Sequence, residues 1–135
     1  MESLSNNKYA ESKDFTNLKC WLKGHDLRNF IYKSIVPVLP KHEEYNLKSQ
    51  LKRAAVSVTS NIAEGYGRFH SKENIQFYRI SRASAYEIKD HLITCKDFNY
   101  ISLDLYDIGV KAVEAFKISI GAYINFKRKK NQLSN

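Results

Sequence analysis

Apolar residues recur at steps of three and four positions through most of this chain, which is the spacing of amphipathic α-helices. Prolines interrupt the pattern at positions 37 and 40, and polar or glycine-containing segments interrupt it twice more. The periodic stretches predict four helices, at about residues 18–36, 42–66, 72–98 and 102–128. No stretch alternates apolar and polar residues for long enough to predict a strand. Four helices with short links predict an all-α fold, an antiparallel up-down four-helix bundle.

A length of 135 residues fits one domain with a sizeable core. We expect a disordered leader over residues 1–14, the bundle over 15–128 and a basic polar tail over 129–135. The leader lacks the apolar centre of a signal peptide, and no apolar run approaches the roughly 18–20 residues that span a bilayer. A cytoplasmic protein without a membrane partner is therefore predicted. Cys20 and Cys95 are too few for a disulfide framework, and we expect them to be small core residues.

The second predicted helix carries a core stripe and, opposite it, a polar stripe. The core stripe consists of Leu47, Leu51, Ala54, Ala55, Val58 and Ile62. The polar stripe consists of Gln50, Arg53, Ser57, Ser60, Asn61, Glu64 and Arg68. The polar stripe lacks the alternating Lys and Glu of a solvated face and is rich in side chains that form fixed hydrogen bonds. We expect Asn61, Glu64 and Arg68 to be held by hydrogen bonds within or between subunits.

Four catalytic or ligand-binding interpretations of this region fail. In GYGRFH, His70 stands where a dinucleotide-binding loop needs its third glycine, and no lysine follows in the P-loop pattern. In HEEYN, Asn46 stands where a zinc protease needs its second histidine. Ser57 and Ser60 have no histidine at a helical spacing to activate them. We therefore expect no enzyme, no cofactor and no metal site, and we interpret Gly65 and Gly67 as a left-handed helix end and a turn.

The same segment resembles a known family. It reads QLKRAAVSVTSNIAEGYGR over residues 50–68 and is followed by KENIQFYRISRASAYEIKDHL over residues 72–92. With Trp21, these motifs resemble the four-helix-bundle proteins of the 23S rRNA intervening-sequence family over about residues 15–126. Ser81 and Ala83 depart from the family's usual alanine and glycine and predict looser packing there. The candidate structural and assembly motif consists of Arg53, Ser57, Ser60, Asn61, Glu64, Gly65, Gly67, Arg68, Ser84 and Glu87.

The resemblance implies a ring-like homo-oligomer, with a pentamer as our first expectation. It also implies a relation to accessory proteins of diversity-generating retroelements, which are similar basic bundles that bind a reverse transcriptase and nucleic acid. Ser84 and Glu87 are expected to be buried hydrogen-bonding groups, with Glu87 paired to Arg53 or Arg68 because buried charge demands a partner.

Apolar residues on two faces of the third helix predict self-association independently of the family. The expected core face consists of Phe77, Ile80, Ser84, Ile88, Leu92 and Cys95. Candidate interface residues on the opposite side are Ile75, Tyr86 and Ile93. The fourth helix carries an apolar arc wider than one bundle core needs, so we expect its excess to pack on another subunit.

The net charge of +8 is concentrated in two places. Residues 48–82 hold seven Lys or Arg against two acidic residues, and residues 127–130 read KRKK, a run that is also typical of a solvated tail. A localised excess attracts polyanions. Candidate phosphate contacts are Lys48, Lys52, Arg79, Arg82, Lys89, Lys127, Arg128, Lys129 and Lys130. The expected function is association with nucleic acid, RNA favoured, and the alternative is a scaffold for an enzyme partner such as a reverse transcriptase.

Overall fold

The computed structural model describes residues 14–68 and 70–134, and this part of the chain forms four long helices and no strand. They are α1 (Lys19–Phe30), α2 (Leu47–Tyr66), α3 (Ser71–Asp97) and α4 (Leu103–Ser134). Short 3₁₀ turns at Phe15–Asn17 and Lys41–Glu43 precede α1 and α2. The all-helical prediction is confirmed. The leader expected over residues 1–14 lies outside the described residues, apart from Asp14.

The first helix ends in a widened turn. α1 continues into a π-helical turn, Ile31–Ile35, and then into a 3₁₀ turn, Val36–Val38, that contains Pro37. Leu27, Ile31 and Ile35 are all buried at steps of four. Such steps drift around an α-helix by about 40° each, because successive residues are about 100° apart. The wider π turn reduces that drift and keeps Ile35 on the core side.

The turn between α3 and α4 follows the sequence prediction. Asn99 has a φ of 59°, in the left-handed region that asparagine tolerates better than most residues. The Oγ atom of Ser102 accepts the backbone N–H of Leu105 at 3.1 Å and so caps α4. α3 therefore ends and α4 begins as the sequence indicated.

α4 is longer than its apolar pattern predicted, and its expected end near Arg128 is wrong. The helix continues to Ser134 because residues 122–134 contain neither glycine nor proline. They are instead rich in Lys, Arg, Asn and Gln, most of which favour helix. The last turns of α4 thus present basic residues on a helix.

Each helix packs mainly on two others: α1 and α3 both contact α2 and α4. The buried core lies between the four helices. As predicted, the core stripe of α2 is buried, and so are Cys20 and Cys95. Burial raises the pKa of Cys20 to about 12 and that of Cys95 to about 11, so both stay protonated at neutral pH.

The core face of α3 was predicted only in part. Ile88, Leu92 and Cys95 are buried, and so, less completely, is Ser84. Ile80 is exposed, however, and Phe77 is only half-buried. Their expected places belong to Ile75, Tyr78, Ser81 and Ala85.

Tyr78 explains why the sequence pattern was misleading at this end of α3. A tyrosine is expected in a core only where its hydroxyl finds a partner, and Tyr78 hydrogen-bonds to Tyr123, the ring centroids lying 5.2 Å apart. Burial and this hydrogen bond together raise the pKa of Tyr78. With Tyr78 inside, the buried stripe turns away from Ile80.

Candidate nucleic-acid interface

Part of the polar stripe of α2 packs along α3 and forms what we call the α2–α3 seam. Ser57 and Ser84 lie with their Oγ atoms 2.7 Å apart. The Asn61 amide donates to the Oγ and to the carbonyl oxygen of Ser57, both at 2.9 Å. Ser84 in turn donates to the carbonyl oxygen of Ile80 at 3.1 Å. The predicted fixing of Asn61 is confirmed within one protomer.

Charged residues continue the seam toward the beginning of α2. Glu87 accepts from Arg53 at 2.5 Å, which decides between the two predicted partners. Its expected burial is wrong, because the Glu87 side chain is only half-buried and the Arg53 side chain is exposed. The Nε2 atom of His91 lies 3.1 Å from the same carboxylate oxygen. Arg68 instead pairs with Glu64 at 2.9 Å on the surface and lies over the Phe77 ring at 4.9 Å. An exposed pair of this kind contributes little to stability.

Gly65 lies inside α2, so its interpretation as a left-handed helix end is wrong. No glycine in the described residues has a positive φ, and Gly67 closes the helix at φ −79°. A Cβ atom on Gly65 would stand 2.8 Å from the Tyr78 ring and 3.0 Å from the Phe77 Cβ atom. Gly65 is therefore required because two helix backbones approach closely at this point.

Asn74 is a residue of the seam that the sequence analysis missed. It is buried, and its amide donates to the carbonyl oxygens of Gly65 and Arg68. The last carbonyl groups of a helix have no partner within the helix. The Gly65 carbonyl accepts the backbone N–H of Arg68 at 3.1 Å, and Asn74 adds a side-chain donor at this end of α2. In the sequence Asn74 stands between Glu73 and Ile75, and nothing there indicated its burial or its partner.

Ser81 also strengthens the seam. Its buried Oγ donates to the carbonyl oxygen of Val58 at 2.5 Å, while Ala83 is exposed. The departure from the family's alanine at position 81 thus adds a hydrogen bond between helices, and the expected loosening is not seen there. Of the motif residues, Ser60 is exposed on the outside of α2.

Two of the candidate phosphate contacts are engaged by acidic neighbours. Lys48 is largely buried against Glu44, with 3.0 Å between Nζ and the carboxylate. The hydrogen bond from Lys48 lowers the pKa of Glu44, and the charge of Lys52 lowers it further. Lys89 pairs with Glu114 at 3.2 Å. These lysines, at the beginning of α2 and in the middle of α3, are partly neutralised.

Arg79 and Arg128 are brought together although they are far apart in the sequence. They line a basic cleft of about 390 Å³ between the first half of α3 and the end of α4. Among the described residues no acidic side chain lines it, and those that do are Lys72, Ile75, Gln76, Arg79, Arg128, Asn131 and Gln132. Arg128 donates to the Asn125 side chain at 2.5 Å, which fixes one edge of its guanidinium.

The other basic residues of α4 surround the cleft without all facing it. Lys129 lines a smaller depression beside it, together with Arg128 and Gln132. Lys127 is half-buried, and burial, reinforced by the charge of Lys130, lowers its pKa. Successive residues point about 100° apart on a helix, so the KRKK run spreads its charges around α4. Lys130 is exposed, and Arg82 is half-buried on α3.

The three candidate interface residues differ in exposure. Ile75 belongs to the core of the protomer, so its placement on an outer face is wrong, because the buried stripe of α3 is turned toward it. Ile93 is half-buried. Tyr86 is exposed, with Lys117 Nζ 4.1 Å from its ring centroid.

The larger exposed apolar surface belongs to α4, as its wide apolar arc predicted. An α1–α4 groove of about 520 Å³ has a mainly apolar lining. Its residues are Lys19, Cys20, Lys23, Ala115, Ile118, Ser119, Ala122, Tyr123 and Phe126.

Comparison with known families agrees with the resemblance seen in the sequence. A family model described as 23S rRNA-intervening sequence protein matches residues 16–120, which cover α1, α2, α3 and more than half of α4. No curated protein matches the chain. Within the described residues, no helix combines the length and the apolar content needed to cross a bilayer.

Proposed function

Because the chain belongs to the 23S rRNA-intervening sequence protein family, we propose that it is a non-catalytic, cytoplasmic, oligomeric bundle protein that associates with RNA. Binding uses phosphate contacts rather than base recognition, since no recognition helix or RNA-binding sheet signature occurs in the sequence. The contacts centre on the basic cleft between α3 and α4.

One observation carries this proposal: Arg79 and Arg128 line one cleft together with Lys72, and no acidic residue of the described ranges lines it with them. Arginine suits phosphate because its planar guanidinium offers several fixed N–H donors. The amides of Asn131 and Gln132 add neutral donors at the same place. By contrast, Lys48 and Lys89 already have carboxylate partners.

The proposed assembly is a ring of antiparallel up-down bundles, with five subunits as the first choice. Early residues of α2 contact late residues of α3, as Arg53 does with Glu87, which supports the antiparallel order. The exposed apolar lining of the α1–α4 groove supports self-association. An oligomer repeats the basic cleft, so several weak sites act together on one long strand.

The test is a titration of a long structured RNA, a long DNA and a short oligonucleotide at several salt concentrations. Arg79→Ala/Arg128→Ala should weaken RNA binding and reduce the salt slope by about 0.7–0.9 for each phosphate that the variant no longer neutralises. Lys48→Ala/Lys52→Ala removes the same charge at residues next to Glu44 and should have a smaller effect. Equal effects of the two variants would contradict the cleft, and weak binding without length dependence at low salt would contradict the RNA proposal.

A second candidate function is a scaffold for an enzyme partner, and the apolar α1–α4 groove is the observation that favours it. Salt separates the two functions. Phosphate binding weakens steeply as salt rises, whereas a mainly apolar protein interface does not.

A further inference from the structure

The α1–α4 groove is an unfilled apolar surface with a basic rim. Ile118 on its wall is 74% exposed and Phe126 56%, which leaves large apolar side chains in water. Small residues at Ala115, Ser119 and Ala122 make it concave. Its charged lining residues are Lys19 and Lys23, and neither forms an ion pair within the described part of the chain. An occupant should therefore be apolar, protruding and acidic.

The chain itself carries a surface of that kind at the turn between α3 and α4. Phe98, Leu103 and Ile108 are 65%, 68% and 52% exposed. Three exposed aspartates accompany them, and in the described residues none of these has an ion-pair partner: Asp97, Asp104 and Asp107. The nearby Lys96 lies 4.6 Å from the centre of the Tyr106 ring. We call this surface the acidic knob.

Charge distinguishes the acidic knob from other exposed apolar residues. Ile80 on α3 is also exposed, but its neighbours along the helix are Arg79 and Arg82, whereas Tyr86 has residues of both signs beside it. The basic surface at Ile80 would be repelled by Lys19 and Lys23, because like charges across an interface repel each other. The residues around Phe98, Leu103 and Ile108 have the opposite sign and would be attracted.

We propose that the acidic knob of one copy of this chain occupies the α1–α4 groove of another. Phe98, Leu103 and Ile108 cover the apolar groove, and the aspartates face Lys19 and Lys23. This inference rests on the self-association proposed above and adds the two surfaces that meet. It leaves the basic cleft outside the contact, because the groove and the cleft have no lining residue in common in the part of the chain that the structure describes.

Charge exchange tests the contact directly. Lys19→Glu/Lys23→Glu and Asp104→Lys/Asp107→Lys should each raise the dissociation constant of the assembly by about tenfold or more. The variant with all four changes should restore assembly close to the original level, because the two signs are exchanged. Lys33→Glu/Lys41→Glu changes two exposed lysines outside the groove by the same charge and should leave assembly unaffected.

The assembly is measured by native mass spectrometry and sedimentation at micromolar concentration, with circular dichroism to check that each variant folds. If neither double variant raises the dissociation constant, or if the fourfold variant does not restore assembly, the knob-and-groove contact is wrong. Self-association through other surfaces would then remain. If the unchanged protein is a monomer, the proposed self-association fails and the contact fails with it. RNA titration of the same samples reports separately on the basic cleft.

Discussion

Between α2 and α3, polar side chains are paired with one another, whereas on the outer surface of α4 apolar and basic side chains stay exposed. In the seam, Ser57, Ser84 and Asn61 form one connected set of hydrogen bonds, and Gly65 lets the helices approach closely. On α4, Ile118 and Phe126 face solvent. The side chains of the seam are therefore mostly occupied by one another, whereas the apolar ones on the outer surface of α4 are free to contact a partner.

The family motif and the candidate binding surfaces are therefore separate parts of the molecule. Most motif residues of α2 contact other residues of the same protomer, so their side chains are occupied. The surfaces that can still bind a partner lie at Arg79 and Arg128 and along the α1–α4 groove. Changes in the seam should thus affect folding first, and changes on α4 should affect binding first.

The largest effect on stability is expected from Gly65→Ala. The added methyl group would meet the Tyr78 ring, the Phe77 Cβ atom and the Asn74 carbonyl oxygen within 3.1 Å. Overpacking of this kind costs about 1–3 kcal/mol, which should exceed the gain in helix propensity. Gly121→Ala is the matched control, because no atom lies within 4 Å of its added Cβ. Urea unfolding measures both, and equal stabilisation by the two changes would contradict a close approach at Gly65.

A somewhat smaller effect is expected from Asn74→Ala. The change leaves the carbonyl oxygens of Gly65 and Arg68 without the donor they have in the seam. Stranding a buried acceptor costs about 1–3 kcal/mol. The Gly65 carbonyl keeps the backbone N–H of Arg68 at 3.1 Å, and water has partial access to the Arg68 carbonyl, so the cost should lie toward the lower end. Asn131→Ala, at the basic cleft, should leave the unfolding free energy nearly unchanged. A loss of stability from Asn131→Ala as large as that from Asn74→Ala would remove the contrast between the regions.

The smallest effect is expected from Glu64→Ala. Glu64 and Arg68 are an exposed pair four residues apart, so the change should cost at most about 0.5 kcal/mol. Arg68 also retains Glu73 at 3.8 Å and the Phe77 ring. Thermal unfolding at low and high salt measures the effect. A decrease of several degrees in Tm, or failure to assemble, would show that Glu64 contacts another subunit.

Helical periodicity was enough to predict the four helices and the buried stripe of α2. It failed where local spacing competes with tertiary contacts. Tyr78 is buried because it meets Tyr123, and Ile80 is exposed as a consequence. The end of α4 was predicted too early, because the apolar spacing ends before the run of residues that favour helix ends.

The sequence was enough to predict which basic residues belong to the candidate site, but not which of them lie together in the fold. Charge counted along the sequence put Lys48, Lys52, Arg79 and Arg82 in one group, whereas folding places Arg79 beside Arg128 and Lys48 beside Glu44. A contact between the first half of α3 and the end of α4 depends on how two long helices align. Asn74 was missed for the same reason, since its acceptors lie in the preceding helix.

The reactivity of the two buried thiols can report local opening of the protein without an added probe. A thiol reacts as its thiolate, and burial keeps both cysteines in the protonated form. Cys20 lies at the α1–α4 groove and Cys95 in the core near the end of α3. Labelling of each cysteine by an alkylating reagent therefore follows the rate at which its surroundings open. An oligomer that covers the groove should slow the labelling of Cys20 and leave the labelling rate of Cys95, the internal reference, unchanged.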